Sequence, residues 1–228
     1  MKITIIHGQS HKGSTYHIAE LLAKKIGGKI TEFFLPRDFD KFCIGCSNCF
    51  MKGESMCPHY TKLTPLTEAI DSADVLIFAS PVYVYHATGS MKAFLDHYGY
   101  RWMVHRPHAP MFNKQAVCIS TAAGAGMKST NKDMADSMFF WGVGKIYQYG
   151  VGVQAIDYKG VPDKIKQKIE KKTSSLADKI KSKEGHVAPG LKTKAFFNIM
   201  RMVMKKGWNQ ADMNYWKDKG WTEKNRPW

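Results

Sequence analysis

The sequence has no long hydrophobic run. Its amino terminus reads MKITIIHG, an apolar stretch far shorter than the roughly 20 residues that cross a bilayer. No small-residue cleavage site follows a longer apolar segment. Internal repeats and low-complexity tracts are also absent, which excludes repeat architectures. We therefore expect a cytoplasmic protein.

Acidic residues are scarce, with 19 against 34 basic residues and a net charge of +15. The imbalance is concentrated in residues 159–228, which hold 18 basic and 7 acidic residues, a net of +11. Such a bias attracts nucleic acid, an anionic membrane or a polyanionic nucleotide. No nucleic-acid-binding motif or platform of stacking aromatics accompanies it, so we expect no nucleic-acid partner. We interpret these lysines mainly as a solvated helix face.

Cysteine is rare outside one segment. Four of the five cysteines lie between positions 43 and 57, and Cys118 stands alone in a predicted strand, where we expect a buried small side chain. Cytosolic chains seldom use disulfides as staples, so clustered cysteines indicate metal binding or redox chemistry.

The remaining sequence alternates apolar runs with longer amphipathic segments, the pattern of an α/β protein with a parallel sheet. The predicted strands are 2–7, 29–35, 74–80, 115–121 and 145–153. The predicted helices are 14–26, 63–72, 88–98, 128–141, 162–181 and 191–206. A chain of 228 residues suits one domain with an appendage. We expect an α/β domain over 1–184 with a cysteine-rich insertion at 43–57, and a basic, aromatic-rich helical extension over 185–228.

Three loops follow predicted strands and carry ligand-binding chemistry. Residues 8–15 (GQSHKGST) combine glycines, hydroxyls and a helix start, which suit a phosphate. Residues 80–89 (SPVYVYHATG) place two tyrosines and a histidine where a flat aromatic ligand could lie. Residues 121–126 (TAAGAG) are small enough for backbone amides to approach a ring. Because ligands of open parallel sheets bind at the carboxyl ends of the strands, these loops are expected to meet there.

Together these stretches resemble the flavodoxin-like NAD(P)H-dependent FMN reductase family. The resemblance rests on HGQSHKGST, the C-x2-C-x2-C segment, ADVLIFASPVYVYHATGSMKAFLD and STAAGAG, and it covers about residues 1–155. It implies a doubly wound five-stranded parallel sheet of order 2-1-3-4-5, with FMN as cofactor and NAD(P)H as reductant. The residues it assigns to FMN are Gln9, Ser10, His11, Lys12, Ser14, Thr15, Pro81, Val82, Tyr83, Val84, Tyr85, His86, Thr121, Ala122, Ala123, Gly124 and Gly126.

The chain departs from that family at several positions. Its relatives commonly have Ser-Pro-Arg where this chain has Gln9, Ser10 and His11, and histidine is a weaker, pH-dependent phosphate partner than arginine. Relatives often carry an arginine after FLD, where this chain has His97.

The cysteine segment has the spacing C-x2-C-x2-C-x7-C, formed by Cys43, Cys46, Cys49 and Cys57. It resembles the segment of the iron–sulfur flavoprotein branch of the family. Such a density of thiolates suits a [4Fe–4S] cluster, as in ferredoxins. A structural zinc ion and a metal-free loop stay open as alternatives.

The expected activity is an FMN-dependent oxidoreductase that passes electrons from NAD(P)H, with or without the cluster, to a quinone, another small acceptor or a protein. One alternative is a non-enzymatic electron carrier reduced by ferredoxin. Another is a peripheral membrane quinone reductase, because residues 191–206 mix apolar and basic side chains. We favour packing of that segment on its own domain or on a partner subunit. A homodimer or higher homo-oligomer is expected, with the tail residues Trp208, Tyr215, Trp216, Trp221 and Trp228 either at its interface or covering the domain.

Overall fold

A computed structural model describes residues 1–207 and 209–228. Trp208 lies outside the described residues, so the prediction for it has no structural counterpart here. The strands are β1 (Lys2–His7), β2 (Lys29–Phe34), β3 (Val75–Pro81), β4 (Gln115–Ala122) and β5 (Lys145–Gly152). The α-helices of the described chain are α1 (Ser14–Ile26), α2 (Asn48–Met51), α3 (Tyr60–Ser72), α4 (Gly89–Asp96), α5 (Met127–Phe140), α6 (Asp163–Lys181), α7 (Leu191–Lys206) and α8 (Gln210–Asp218).

The five strands form one sheet in the order β2-β1-β3-β4-β5, and every neighbouring pair is parallel. This confirms the predicted doubly wound α/β fold. The central strands β3 and β4 are buried almost throughout, as expected for strands covered by helices on both faces. Strand order reverses between β1 and β3, so a crevice opens beside their carboxyl ends.

Each face of the sheet has its own apolar core. One core contains Leu66, Phe78, Phe94 and Trp141, and the other contains Ile5, Leu22, Ile77 and Ile169. Because side chains alternate along a strand, Ile77 and Phe78 serve opposite faces. Cys118 is fully buried in the first core, as the sequence predicted.

Helices α7 and α8 pack on the α/β part through a third apolar core. Phe197, Met204, Trp216 and Trp221 meet Phe112 of the loop before β4. The indole nitrogen of Trp216 donates to the carbonyl oxygen of His105 at 2.6 Å. Trp216 and Trp221 are therefore committed to covering their own chain, the second of the two roles predicted for them.

Candidate functional site

A cavity of about 210 Å³ opens at the carboxyl ends of the strands. It is walled by the loops after β1, β3 and β4, as predicted, and also by the loop after β5, which was not predicted. The predicted residues that line it are Gln9, His11, Ser14, Thr15, Pro81, Val82, Tyr83, Thr121, Ala122 and Ala123. The predicted residues outside its lining are Ser10, Lys12, Val84, Tyr85, His86, Gly124 and Gly126.

The start of α1 forms the polar end of this cavity. Gly13 precedes the helix and offers no side-chain cap, so the first amide groups of α1 are left for another acceptor. The hydroxyl of Ser14 is buried in the same place and has no hydrogen-bond partner within the described chain. Buried polar atoms are normally satisfied, so this orphaned hydroxyl marks a missing partner. A helix start with free amides favours an anion, and the site fits the phosphate of FMN.

The next residue, Thr15, is held in a different way. Its hydroxyl forms a hydrogen bond with the hydroxyl of Thr121, at the end of β4, and both residues are buried. This contact joins the start of α1 to the end of β4. It sets the spacing between the start of α1 and the wall formed by Thr121, Ala122 and Ala123.

The second loop, residues 80–89 after β3, forms one wall of the cavity and part of its rim. The side-chain amide of Gln9 donates to the hydroxyl of Tyr83, which fixes the Tyr83 ring beside the first loop. Beyond Tyr83 the chain makes a tight turn, in which Tyr83 and His86 exchange two backbone hydrogen bonds of 2.9 and 3.0 Å. Val84 and Tyr85, at the tip of this turn, have positive φ angles of 49° and 66°. The tip therefore stands at the rim of the cavity, which explains why Val84 and Tyr85 do not line it.

Helix α5 anchors this turn through Asp133, which sequence reasoning missed. Its carboxylate lies 3.0 Å from His86 Nδ1 and accepts from the backbone amide of Ala87 at 3.0 Å. The hydroxyl of Ser129 also donates to the carbonyl oxygen of Tyr85. His86 thus points toward α5, where it supports the turn.

Gly126 serves the packing of two loops. Its φ angle is +97°, and a Cβ atom there would lie 2.6 Å from Val82 Cγ1 and 3.1 Å from Tyr85 Cα. Only glycine permits so close an approach with that backbone conformation. Gly126 therefore holds the third loop against the second.

His7 is the most informative residue that the sequence analysis missed. Its ring lines the cavity, stacks on Phe34 at 4.5 Å and places Nε2 2.9 Å from a carboxylate oxygen of Glu32. Burial lowers the pKa of His7, although Glu32 opposes that effect. Burial in the cavity wall thus disfavours the charged form of this imidazole. Gly13 also lines the cavity and lies in the predicted loop 8–15, although it was not assigned to FMN. Five other lining residues were missed: Tyr16, Ala79, Val153, Ala155 and Ile156.

The four cysteines of the 43–57 segment line a second, smaller cavity of about 60 Å³. His59 and His97 line it too, and His59 Nδ1 lies 2.9 Å from His97 Nε2. Within the described chain, no group of three or more metal-binding side chains is arranged to hold a metal ion. Burial raises the pKa of the Cys49 thiol, and the charges of Cys57, Cys43 and Cys46 raise it further. The four thiols are thus close enough around this cavity for their charges to interact.

Arg106 ties this segment to the rest of the protein. Its guanidinium donates to the carbonyl oxygens of Cys49 and Phe50, the second at 3.1 Å. The same group pairs with the buried carboxylate of Asp212 in α8. The ring of Phe50 packs against His105 with their centroids 4.7 Å apart. The cysteine segment is therefore held from the side of the carboxyl-terminal helices.

None of the described helices is both long enough and apolar enough to cross a membrane.

Curated relatives of this chain are named iron–sulfur flavoproteins. One, from Archaeoglobus fulgidus, is 28% identical over 189 residues, which is 78% of this chain and 79% of the relative. Another, from Clostridioides difficile, is 34% identical over 102 residues, or 42% of this chain and 45% of the relative.

Solved structures with the same fold include several reductases and oxidoreductases. A flavone reductase matches with a TM-score of 0.58 at 18% identity, over 83% of this chain and 66% of its own. An NADH:FMN oxidoreductase in its apo form matches with a TM-score of 0.56 at 19% identity, over 83% of this chain and 95% of its own. An NAD(P)H:quinone oxidoreductase from Methanothermobacter marburgensis matches with a TM-score of 0.58 at 15% identity, over 77% of this chain and 96% of its own. At these identities the structures establish the fold.

The sequence model of the NADPH-dependent FMN reductase family matches residues 1–156, which contain β1 to β5 and the three predicted loops. The chain therefore belongs to the NADPH-dependent FMN reductase family and is an NAD(P)H-dependent flavin oxidoreductase.

Proposed function

We propose that the cavity at the strand ends binds FMN and that the enzyme passes electrons from NAD(P)H to a quinone or another small acceptor. The observation that supports this most strongly is the uncapped start of α1 beside the orphaned hydroxyl of Ser14. Both groups face a cavity bounded by the loops that the resemblance assigns to FMN. When bound, FMN supplies the redox chemistry, because it accepts a hydride and releases electrons singly or in pairs.

The residues of this chain bind and orient the cofactor. The amide groups of Ser14 and Thr15 and the Ser14 hydroxyl hold the phosphate, His11 lines the same end of the cavity, and Lys12 adds positive charge nearby. Pro81, Val82 and Tyr83 form one wall for the ring system. Thr121, Ala122 and Ala123 form the other, and offer backbone amides to its polar edge. Ser10, Val84, Tyr85, His86, Gly124 and Gly126 act from the rim or by holding the loops, and we propose no proton transfer at any of them.

We further propose that Cys43, Cys46, Cys49 and Cys57 hold a [4Fe–4S] cluster. All four cysteines line one cavity, as a shared cluster requires. The names of the curated relatives favour a cluster over a structural zinc ion.

We propose a homodimer as the working form. The tip of the second loop is apolar and solvent-exposed, with Val84 at 94% exposure and Tyr85 at 65%. A second copy seated on this rim would cover the open side of the flavin cavity. Isologous dimers are the commonest oligomers of soluble proteins.

Anaerobic purification followed by a visible–ultraviolet spectrum and counts of iron and sulfide tests the proposal. We expect a flavin spectrum with added broad absorbance from the cluster, about four irons and four sulfides per chain, and bleaching by NADH or NADPH. The variant Cys43→Ser should lose the iron and keep the flavin. A protein with flavin that neither nucleotide bleaches would contradict the nicotinamide part, and iron-free protein with flavin would contradict the cluster.

A further inference from the structure

Helix α7 has two apolar faces. Its inner face consists of the buried residues Thr193, Phe197, Met200 and Met204, and the last three belong to the third apolar core. Its outer face consists of Leu191, Ala195, Ile199 and Met202, all of which are exposed to solvent. At about 3.6 residues per turn, the two sets lie on opposite sides of the helix. Surface helices normally carry polar residues opposite the core, so the outer face is exceptional.

The outer face exposes large apolar side chains to solvent. Leu191 is 87% exposed, Ile199 is 51% exposed and Met202 is 56% exposed. These three side chains, with Ala195 between the first two, are aligned along one side of the helix from its first turn to its fourth. Single exposed apolar residues need no explanation, but an aligned strip indicates an interaction surface.

Cations border this strip. The sequence of α7, LKTKAFFNIMRMVMKK, holds five basic residues and no acidic one. Two of the five also contact the carboxyl-terminal tail: Lys194 lies over the ring of Trp228, and Arg201 donates to the carbonyl oxygen of Glu223 at 3.2 Å. The other three, Lys192, Lys205 and Lys206, are exposed. They lie near the two ends of the strip, and Lys192 also covers the ring of Phe139.

The basic residues beside the strip indicate which kind of partner binds it. A second copy of α7 would place up to ten cations in one contact without a single acidic partner. Protein interfaces are also depleted in lysine, whereas exposed lysines lie near both ends of this strip. A basic helix with an aliphatic face matches the boundary between anionic headgroups and acyl chains. With 16 residues, α7 is about 24 Å long, too short to cross the roughly 30 Å hydrocarbon core.

We propose that α7 docks this protein on the surface of an anionic lipid bilayer. Leu191, Ile199 and Met202 enter the boundary between headgroups and acyl chains, and Lys192, Lys205 and Lys206 meet the headgroup phosphates. The inner face keeps its contacts with the apolar core, so docking requires no unfolding. The docking itself does not depend on the proposed electron acceptor. If the acceptor is a lipid-soluble quinone, docking brings the enzyme to it, and that consequence rests on the proposed function.

The test is flotation of the full-length, flavin-loaded protein with vesicles of phosphatidylcholine alone or in an equimolar mixture with phosphatidylglycerol. We expect binding to the anionic vesicles at low salt, and at least tenfold weaker binding to the neutral ones. The double variant Ile199→Glu/Met202→Glu should lose binding at least tenfold. Because each lysine near an anionic surface contributes about 1 kcal/mol, the triple variant Lys192→Ala/Lys205→Ala/Lys206→Ala should bind about 100-fold more weakly.

A matched triple variant on the exposed side of α6, Lys164→Ala/Lys168→Ala/Lys172→Ala, removes the same charge elsewhere. It should keep most of the binding. Equal losses in the two triple variants would overturn the proposal, because net charge alone would then explain the attraction. Absence of vesicle binding would overturn it too, as would a double variant that changes the oligomeric state and leaves vesicle binding intact. Bleaching of the flavin by NAD(P)H in the same samples reports on the proposed function separately.

Discussion

The buried carboxylate of Asp212 in α8 pairs with the guanidinium of Arg106, which also donates to the backbone carbonyl oxygens of Cys49 and Phe50. Asp212 receives a second contact from His105, whose Nδ1 lies 2.8 Å from the other carboxylate oxygen. A residue of the carboxyl-terminal helices thereby fixes the backbone of the cysteine segment, although 163 positions separate it from Cys49 along the sequence.

This relationship predicts a large effect of Asp212→Ala. The substitution leaves a nearly buried guanidinium without its carboxylate, a change that costs about 3–5 kcal/mol in comparable buried pairs. We expect the free energy of unfolding in urea to fall by about that amount. In the folded variant, Cys49 should also react faster with a thiol reagent. Asp218→Ala, an exposed change in the same helix, is the control and should shift stability by less than about 0.5 kcal/mol.

Ser14 should matter for FMN and not for folding. A hydrogen bond to a charged phosphate contributes about 1.5–3 kcal/mol, so Ser14→Ala should weaken FMN binding about 10-fold to 100-fold. The flavin-free variant should be at least as stable as the original protein, because the substitution removes a buried polar atom that has no partner in the described chain. Titration with FMN, followed by flavin fluorescence, measures the first effect. Riboflavin, which lacks the phosphate, should bind both proteins equally. Ser175→Ala on the exposed side of α6 is the matched control.

His7 predicts a pH dependence of stability. Burial lowers the pKa of His7 in the folded protein below its ordinary value of 6.5. The unfolded chain therefore takes up a proton first as the pH falls, and folding loses stability below about pH 6.5. The loss continues until the lowered pKa is passed, with a slope of at most about 1.4 kcal/mol per pH unit. Urea unfolding at several pH values should show a shallower slope for His7→Asn than for the original protein. An unchanged slope in that variant would argue against a lowered pKa of His7.

Val84 lies at the tip of the second loop with a φ angle of 49°, a conformation that β-branched residues rarely adopt. Asparagine tolerates this conformation better, so Val84→Asn should raise the free energy of unfolding by about 1 kcal/mol. Val84→Thr keeps the branched Cβ and should give no gain, which makes it the control at the same position. A stabilised variant with weaker FMN binding would indicate that the strained turn serves the cofactor.

Much of the fold could be predicted because β1, β3 and β4 are short apolar runs bounded by polar or small residues. Helix α3 begins at Tyr60, three residues before its predicted start, and it holds Pro65 in its interior. Helix α8 was missed because the segment was interpreted only as an aromatic-rich tail, although it has a helix-capping residue at its start. Asn209 caps that helix by accepting from the amide of Ala211 at 2.8 Å.

The candidate site was predictable only where loop composition is distinctive. The loops after β1, β3 and β4 are marked by glycine, hydroxyl or small residues, and they do meet at one cavity. The loop after β5 contributes Val153, Ala155 and Ile156, which look like ordinary apolar residues in the sequence. Contacts such as that of Asp133 with His86 join positions far apart in the chain, so local sequence patterns cannot predict them.

The most direct test of the account is equilibrium titration of the flavin-free protein with FMN and with riboflavin. We expect one FMN to bind per chain at micromolar concentration or below, and riboflavin to bind at least tenfold more weakly because it has no phosphate for the start of α1. Failure to bind FMN at micromolar concentration, or equal affinity for the two flavins, would contradict the site described here.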